Sequence, residues 1–240
     1  MSISKAQIKN IRSLHQSKFR KETGLFIIEG EKLIQEAKAA GAFMNAVYSI
    51  DEAWCTKNVA EWIADHEMQQ ISALNSPSPY LAIVHQLTFK PISSSEKVLY
   101  LDGIKDPGNL GTLIRSADAF GWSQVVLAPQ CVELYNPKVI QSTMGSIFHI
   151  QIQVDTKGDF LEEAKAQHRG ILGADLKGQA LKEMPLPERN AVLVIGSESH
   201  GISAATRGYI SQYVRIEQSG RAESLNAAIA ASILMHHWSA

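Results

Sequence analysis

The chain has 240 residues, of which 45% are hydrophobic and 20% charged, and its formal net charge is -1. That composition excludes disordered and fibrous proteins and leaves room for two compact domains or one large α/β domain. The near-zero charge excludes a protein that coats nucleic acid nonspecifically, and no apolar run approaches the roughly 20 residues that span a bilayer.

The opening MSISKAQIKNIRS has no hydrophobic signal region, so a cytoplasmic protein without membrane attachment is expected. Its charge is locally biased. Lys5, Lys9, Arg12, Lys18, Arg20 and Lys21 fall within the first 21 residues with no acid among them. Such an arm attracts phosphates, and it equally describes a solvated helix face. Periodicity predicts a helix over 4–16, the strand LFIIEG over 25–30, and the helix EKLIQEAKAAG closing at Gly41. AVYSI (46–50), a helix near 56–68 and LAIVHQL (81–87) continue the alternation. The turn-rich stretch KPISSSEK then marks a boundary near 89–96, giving expected domains of 1–90 and 96–240.

Beyond the boundary, KVLYLDG (97–103) reads as a buried strand, GNLGTLIRSADAFG as a helix, and QVVLAP (124–129) as the next strand. Apolar strands alternating with helices predict an α/β fold with a parallel sheet covered on both faces. Asn136 followed by Pro137 is a helix start, predicting a helix through Phe148. HIQIQVD, GILGAD, AVLVIG and QYVRIE supply further strands, and AESLNAAIAASILMHHW a closing helix. In that helix Ala222, Ala227, Ala228, Ala230 and Ala231 favour helicity and the close approach of a neighbour. Cys55 and Cys131 lie far apart in no metal-binding or redox motif, and the adjacent His236 and His237 do not share a helix face. No disulfide and no metal are expected.

Three loops each follow a predicted buried strand, where open α/β sheets place their ligands. In the first, Asp106-Pro107-Gly108 makes a turn, Asn109 is a candidate cap, Gly111 permits close backbone approach, and Arg115 follows in the same helix. The second, VIGSESHGIS, runs from Gly196 through Ser197, Glu198 and Ser199 to Gly201. The third, VRIEQSGRAESLNAAIAAS, leads from a strand through a polar turn to a helix whose first turn carries Ser224 and Asn226. Singly, each is an ordinary turn or cap. No Walker lysine and no GxGxxG turn is present, which disfavours generic nucleotide binding and a dinucleotide-dependent oxidoreductase.

Together the loops resemble, in order and spacing, the three signature motifs of the SpoU/TrmH branch of the SPOUT RNA methyltransferases. Asn109, Gly111 and Arg115, then Gly196, Glu198 and Gly201, then Ser224, Leu225 and Asn226 fit the pattern. KFRKETGLFIIEGEKLIQEA resembles that family's small α/β substrate-binding domain. Departures from the pattern are Ser199 after the motif-two glutamate, Ile216-Glu217 before the third loop, and Arg221-Ala222 within it. Glu217 in particular is expected to place an acid near the cofactor loop.

The resemblance implies a C-terminal α/β domain with a deep trefoil knot, S-adenosylmethionine as methyl donor, and 2′-O-methylation of a ribose in ribosomal RNA. Transfer RNA, or noncatalytic RNA binding on a knotted scaffold, are the alternatives. It further implies a homodimer whose sites are completed at the interface, with Gly196, Ile216 and Leu225 contacting the cofactor. The reaction is an in-line displacement that needs alignment and handling of a hydroxyl proton. The expected catalytic set is Arg115, Asn109, Glu198, Ser224 and Asn226. Arg115 would hold a phosphate and stabilise developing alkoxide, Asn109 and Glu198 would orient it, and Ser224 and Asn226 would fix the third loop and the ribose. Lys18, Arg20 and Lys21 are the expected RNA-capturing residues.

Overall fold

The computed structural model describes residues 3–239. It clusters into two compact units: the chain up to Thr88 together with Glu133–Phe148, and Phe89–Val132 together with His149 onward.

In the first unit α1 (Lys5–Ser13) starts at Ser4, whose hydroxyl accepts from the Gln7 N–H while the Gln7 side chain accepts from the Ser4 N–H. The helix expected over 4–16 ends early, and a second helix, α2 (Ser17–Thr23), closes at Gly24 with a left-handed φ of 67°. β1 (Leu25–Glu29), α3 (Glu31–Ala39), β2 (Met44–Ser49), α4 (Glu52–Asn58), β3 (Glu61–Trp62), α5 (Asp65–Ile71) and β4 (Tyr80–His85) follow. The single helix expected near 56–68 is therefore two. Val59 takes a left-handed φ of 56° at the end of α4, and separate carboxylates, Asp51 and Glu67, cap the two helix starts. The sheet runs β1-β4-β2-β3, with β4 antiparallel to both neighbours and β3 parallel to β2. Ile11 and Leu14 pack with Ile27, Ile83, Met68 and Ile71 in the core of this unit.

The second half of the chain comprises β5 (Val98–Asp102), α6 (Pro107–Ala119), β6 (Gln124–Leu127), α7 (Pro137–Thr143), β7 (Gln151–Val154), α8 (Phe160–Ala166), β8 (Ile171–Ala180), β9 (Val192–Gly196), α9 (Ala204–Arg207), β10 (Gln212–Arg215) and α10 (Ala227–His237). Its six strands order as β10-β8-β9-β5-β6-β7, every pairing parallel. β5 and β6 are buried along their whole length, as strands covered on both faces must be. α10 packs along α6, where Ser232 Oγ donates to Ser116 Oγ over 2.8 Å and Ala228 and Ala231 are buried.

Two expected helices have different bounds. The helix predicted from Asn136 to Phe148 breaks at Met144 (φ 51°) and Gly145 (φ 104°), leaving a short 3-10 turn over Ser146–Phe148. The closing helix begins at Ala227 because the Asn226 side chain caps the Ala228 and Ile229 N–H groups, so Ala222 and Ser224 lie in the preceding loop.

Glu133–Phe148 belongs to the first unit through specific side chains. Arg20 is only 2% exposed; its Nε lies 3.1 Å from both Glu133 carboxylate oxygens, its Nη2 also donates to Glu133, and its Nη1 donates to the Leu14 carbonyl over 2.7 Å. This corrects the placement of Arg20 among the RNA-capturing residues: a guanidinium buried against Glu133 and the Leu14 carbonyl is not presented to a phosphate. The Tyr135 hydroxyl accepts from the Leu87 N–H, its ring packs on Phe26, and burial pushes its phenol up to about 12. Breaking a buried pair from one side strands a charge. Glu133→Ala is therefore expected to destabilise the protein by about 3 kcal/mol. Arg20→Met should cost clearly less, since the 23% exposed Glu133 side chain can turn to water. Urea unfolding followed by circular dichroism measures both.

Candidate active site

The switch in strand order falls between β5 and β9, which lie side by side with Asp102 opposite Gly196. Crevices at such points, outside the carboxyl ends of parallel strands, are where α/β sheets bind ligands. After β5 the chain enters α6 with Asp106, rather than the expected Asn109, as cap: its carboxylate accepts from the Asn109 N–H over 2.8 Å, and Pro107 occupies the first turn. Asn109 is thereby left with its side chain free for other work. After β9 the segment Ser197–Gly201 closes on itself, Ser197 and Gly201 exchanging both main-chain hydrogen bonds at 3.1 and 2.8 Å, with Gly201 at φ 64°.

The Asn109 amide donates to Glu198 Oε1, and its oxygen accepts from Asn226 Nδ2 over 3.1 Å. Three of the five expected catalytic residues, one from each loop, thus form a single chain of hydrogen bonds. Arg115 and Ser224 do not join it. Arg115 lies six residues past Asn109, about 120° round the helix by α-helical geometry, and is exposed with no side-chain partner among the described residues. Asn109 and Glu198 therefore do not orient Arg115 within the chain, as had been expected; they hold each other.

Beside this cluster is a cavity of about 600 Å³ whose walls include the expected cofactor contacts Gly196, Ile216 and Leu225, together with Ile195, Glu198, Val214, Glu223 and Ser224. Close main-chain packing shapes it. A Cβ on Gly196 would fall inside contact distance of the Gly201 carbonyl and the Ile202 nitrogen, and one on Gly178 would lie 2.6 Å from the Tyr213 and Val214 main chain. Among the described residues, the N–H groups of 217–225 have no protein acceptor. Glu217 is turned away to an ion pair with Lys182 at 2.5 Å, so its acid is neutralised outside the cavity wall.

S-adenosylmethionine fits what the residues offer. Apolar Ile195, Val214, Ile216 and Leu225 suit its adenine and alkyl parts, unpaired main-chain N–H groups suit its acceptors, and the Glu198, Glu223 and Asp175 carboxylates suit its cationic groups. Asp175 tends upward through burial, but hydrogen bonds from the Lys177 N–H and from Arg207, 2.9 Å away, outweigh this and hold it below the usual carboxylate range. It stays ionised at neutral pH. Sequence reasoning missed three supporting residues. Asp102, buried at the end of β5, accepts from the Ser203 N–H over 2.7 Å and so ties down the loop after β9; Asp175 and Arg207 brace the opposite wall. Of the three, only Asp102 carried a readable signal, as an acid ending an apolar strand.

Parallel sheet, switch-point cavity and three converging loops define an α/β enzyme that binds a nucleoside-like cofactor. Residues 96–236 match the SpoU rRNA Methylase family, and the chain belongs to it. Residues 5–82 match the MRM3-like substrate binding domain. The chain is 32% identical, over 98% of its length and 97% of the relative's, to the 23S rRNA (guanosine(2553)-2'-O)-methyltransferase RlmP of Bacillus subtilis. An AdoMet-bound rRNA methyltransferase from Sinorhizobium meliloti superposes with a TM-score of 0.87 at 30% identity, over 99% of this chain and 95% of that one. The SpoU methyltransferase AviRb from Streptomyces viridochromogenes, in complex with AdoMet, gives a TM-score of 0.86 at 25% identity, over 98% and 97%.

Gly196→Ala should close the cavity by pushing the Gly201–Ile202 backbone aside. Titration calorimetry is expected to show S-adenosylmethionine binding weakened at least tenfold, the equivalent of about 1.4 kcal/mol; unchanged affinity would place the cofactor elsewhere.

Proposed function

We propose that this protein transfers a methyl group from S-adenosylmethionine to a ribose 2′-hydroxyl of ribosomal RNA. The observation that carries the reading is the Asn109–Glu198–Asn226 chain of hydrogen bonds beside a cavity at the switch point of a SpoU-family fold. Ribosomal RNA is favoured over transfer RNA by the family match and by the Bacillus subtilis relative, whose substrate is 23S rRNA. The domain division follows the two matched stretches, with RNA capture in the first and chemistry in the second. No helix among the described residues is long and apolar enough to cross a membrane, and a cytoplasmic location suits the substrate. Mapping ribose methylation by mass spectrometry in RNA from cells with and without the gene tests this. Loss of one ribose methyl from ribosomal RNA is expected; a loss confined to transfer RNA would reassign the substrate, and an unchanged map would refute the reading.

When bound, the cofactor supplies an electrophilic methyl. Gly196, Ile216, Leu225 and the main chain of 217–225 hold it. We read the close main-chain packing at Gly196 and Gly178 as the signature of a trefoil knot, since threading a loop leaves no space for side chains at the crossings. Asn109, Glu198 and Asn226 keep the three loops in register, and Ser224, in the cavity wall, is placed to meet the ribose. Arg115, exposed and unpaired, is free to grip a substrate phosphate with its planar fork and to stabilise the alkoxide as the hydroxyl proton leaves to water.

The same reading makes the protein a homodimer through its second unit. α10 is apolar nearly all round, and Ile229 and Ile233, one turn apart, remain 53% and 38% exposed. A subunit packed there would cover them, and Arg115 of each subunit would then be available to the site of the other. Light scattering at micromolar concentration should give twice the chain mass, and Ile229→Asp with Ile233→Asp should give monomers lacking activity. An active monomer would remove the dimer from the mechanism. Arg115→Ala and Arg115→Lys should both lose methyl transfer by at least a hundredfold, about 2.7 kcal/mol in the barrier, with cofactor affinity unchanged. Transfer of a radiolabelled methyl to RNA measures the first and calorimetry the second.

A further inference from the structure

Given an RNA substrate, we infer that the first unit carries a stacking site for one unpaired RNA base, built from Phe43 and His85 at the end of the sheet where α2 leads into β1. Phe43 precedes β2 and is 70% exposed, an unusual position for a phenyl ring. The fold uses its main chain, not its ring: the Phe43 carbonyl accepts from the His85 N–H over 3.0 Å, continuing the β2–β4 ladder. The ring rests against the half-buried His85 imidazole, with centroids 4.8 Å apart and planes inclined by 51°. The imidazole supports it from one side while most of the phenyl surface stays open.

The topology brings positive charge to the same end of the sheet. His85 is in register with Leu25, and Gln86 donates from its N–H to the Gly24 carbonyl over 2.7 Å and from its side chain to the Arg20 carbonyl over 3.0 Å. The C-terminus of α2 is thereby fixed beside β4. The burial of Arg20 against Glu133 sets the rotation of α2, leaving Lys18 and Lys21 exposed. Lys18 lies 3.9 Å from Glu22, whereas Lys21 has no ion-pair partner among the described residues. An open aromatic face and an uncommitted cation at the same end of a sheet suit single-stranded nucleic acid, whose bases stack on rings and whose phosphates attract ammonium groups.

The size of the feature selects this occupant over a protein. Docking surfaces on proteins are contiguous apolar patches of several hundred Å². Of the other exposed large hydrophobics of the unit, Val59 and Trp62 lie toward the opposite end of β2, where Trp62 pairs with Ser49, and Met144 closes α7 in the separate 133–148 segment. One open ring backed by one imidazole matches a single base.

The test uses the full-length protein, S-adenosylmethionine and ribosomal RNA transcribed in vitro. Phe43→Ala should raise the KM for the RNA about tenfold, the loss of roughly one stacked base, at unchanged kcat, cofactor affinity and melting temperature. Phe43→Trp should restore the KM, and its fluorescence should be quenched by a single-stranded oligouridylate but not by an RNA duplex. An unchanged KM in Phe43→Ala, or quenching by neither probe, would overturn the stacking site. A wild-type protein that methylates no RNA would instead refute the underlying activity, so the two failures are told apart.

Discussion

The side chain of Asn109 donates to Glu198 and accepts from Asn226, so one carboxamide ties together the loops that follow β5, β9 and β10. Few side chains can donate and accept at once in a fixed plane. An aspartate there would face Glu198 as a like charge, and a leucine would leave two polar partners unanswered. Asn226 repeats the device, since its oxygen caps α10 while its nitrogen reaches Asn109. The start of the last helix and the assembly of the site are therefore one structural event. Asp106 makes this possible by taking over the capping of α6.

The cavity depends on this arrangement because its walls come from separate segments: β8, the ends of β9 and β10, the loop that follows β10, and α10. Walls drawn from separate segments hold shape only if those segments are pinned, and the pins include the Asn109 amide, the Asp102 carboxylate beneath Ser203, and the Asp175–Arg207 pair on the far side. The N–H groups of 217–225 have no protein acceptor in a mostly exposed segment, where water can satisfy them at little cost. A ligand that replaces that water gains directional hydrogen bonds without first breaking any in the protein. Polar groups left open at the site are thus part of its readiness to bind.

Much of this was legible in the sequence. The apolar strands VLYLD and VLVIG, the helix signals at Pro137 and Asn226, and three ordered loops placed the parallel sheet and the residues at its carboxyl edge. Local signals fell short where a single φ decided the outcome: Val59 and Met144 are ordinary residues in left-handed conformations, so nothing in their identity announced that a helix stops there. Charge misled for a different reason. Arg20 sits in a run of cations that reads as one exposed arm, and its partner, Glu133, is 113 positions away. The network among Asn109, Glu198 and Asn226 was equally hidden, because side-chain contacts across 89 and 117 residues leave no periodicity to read.

The same pairing of Arg20 with Glu133 bears on the order in which the protein is made. Synthesis runs from the N-terminus, and domains generally fold as their chain emerges. The first unit, however, is not complete at Thr88: Glu133, Tyr135 and α7 are supplied only after β5, α6 and β6 have been translated. Until then Arg20 has no carboxylate to meet, and the Leu87 N–H no phenol. The nascent N-terminal part must wait for a segment encoded within the other half of the gene, which links the maturation of the first unit to the synthesis of the second.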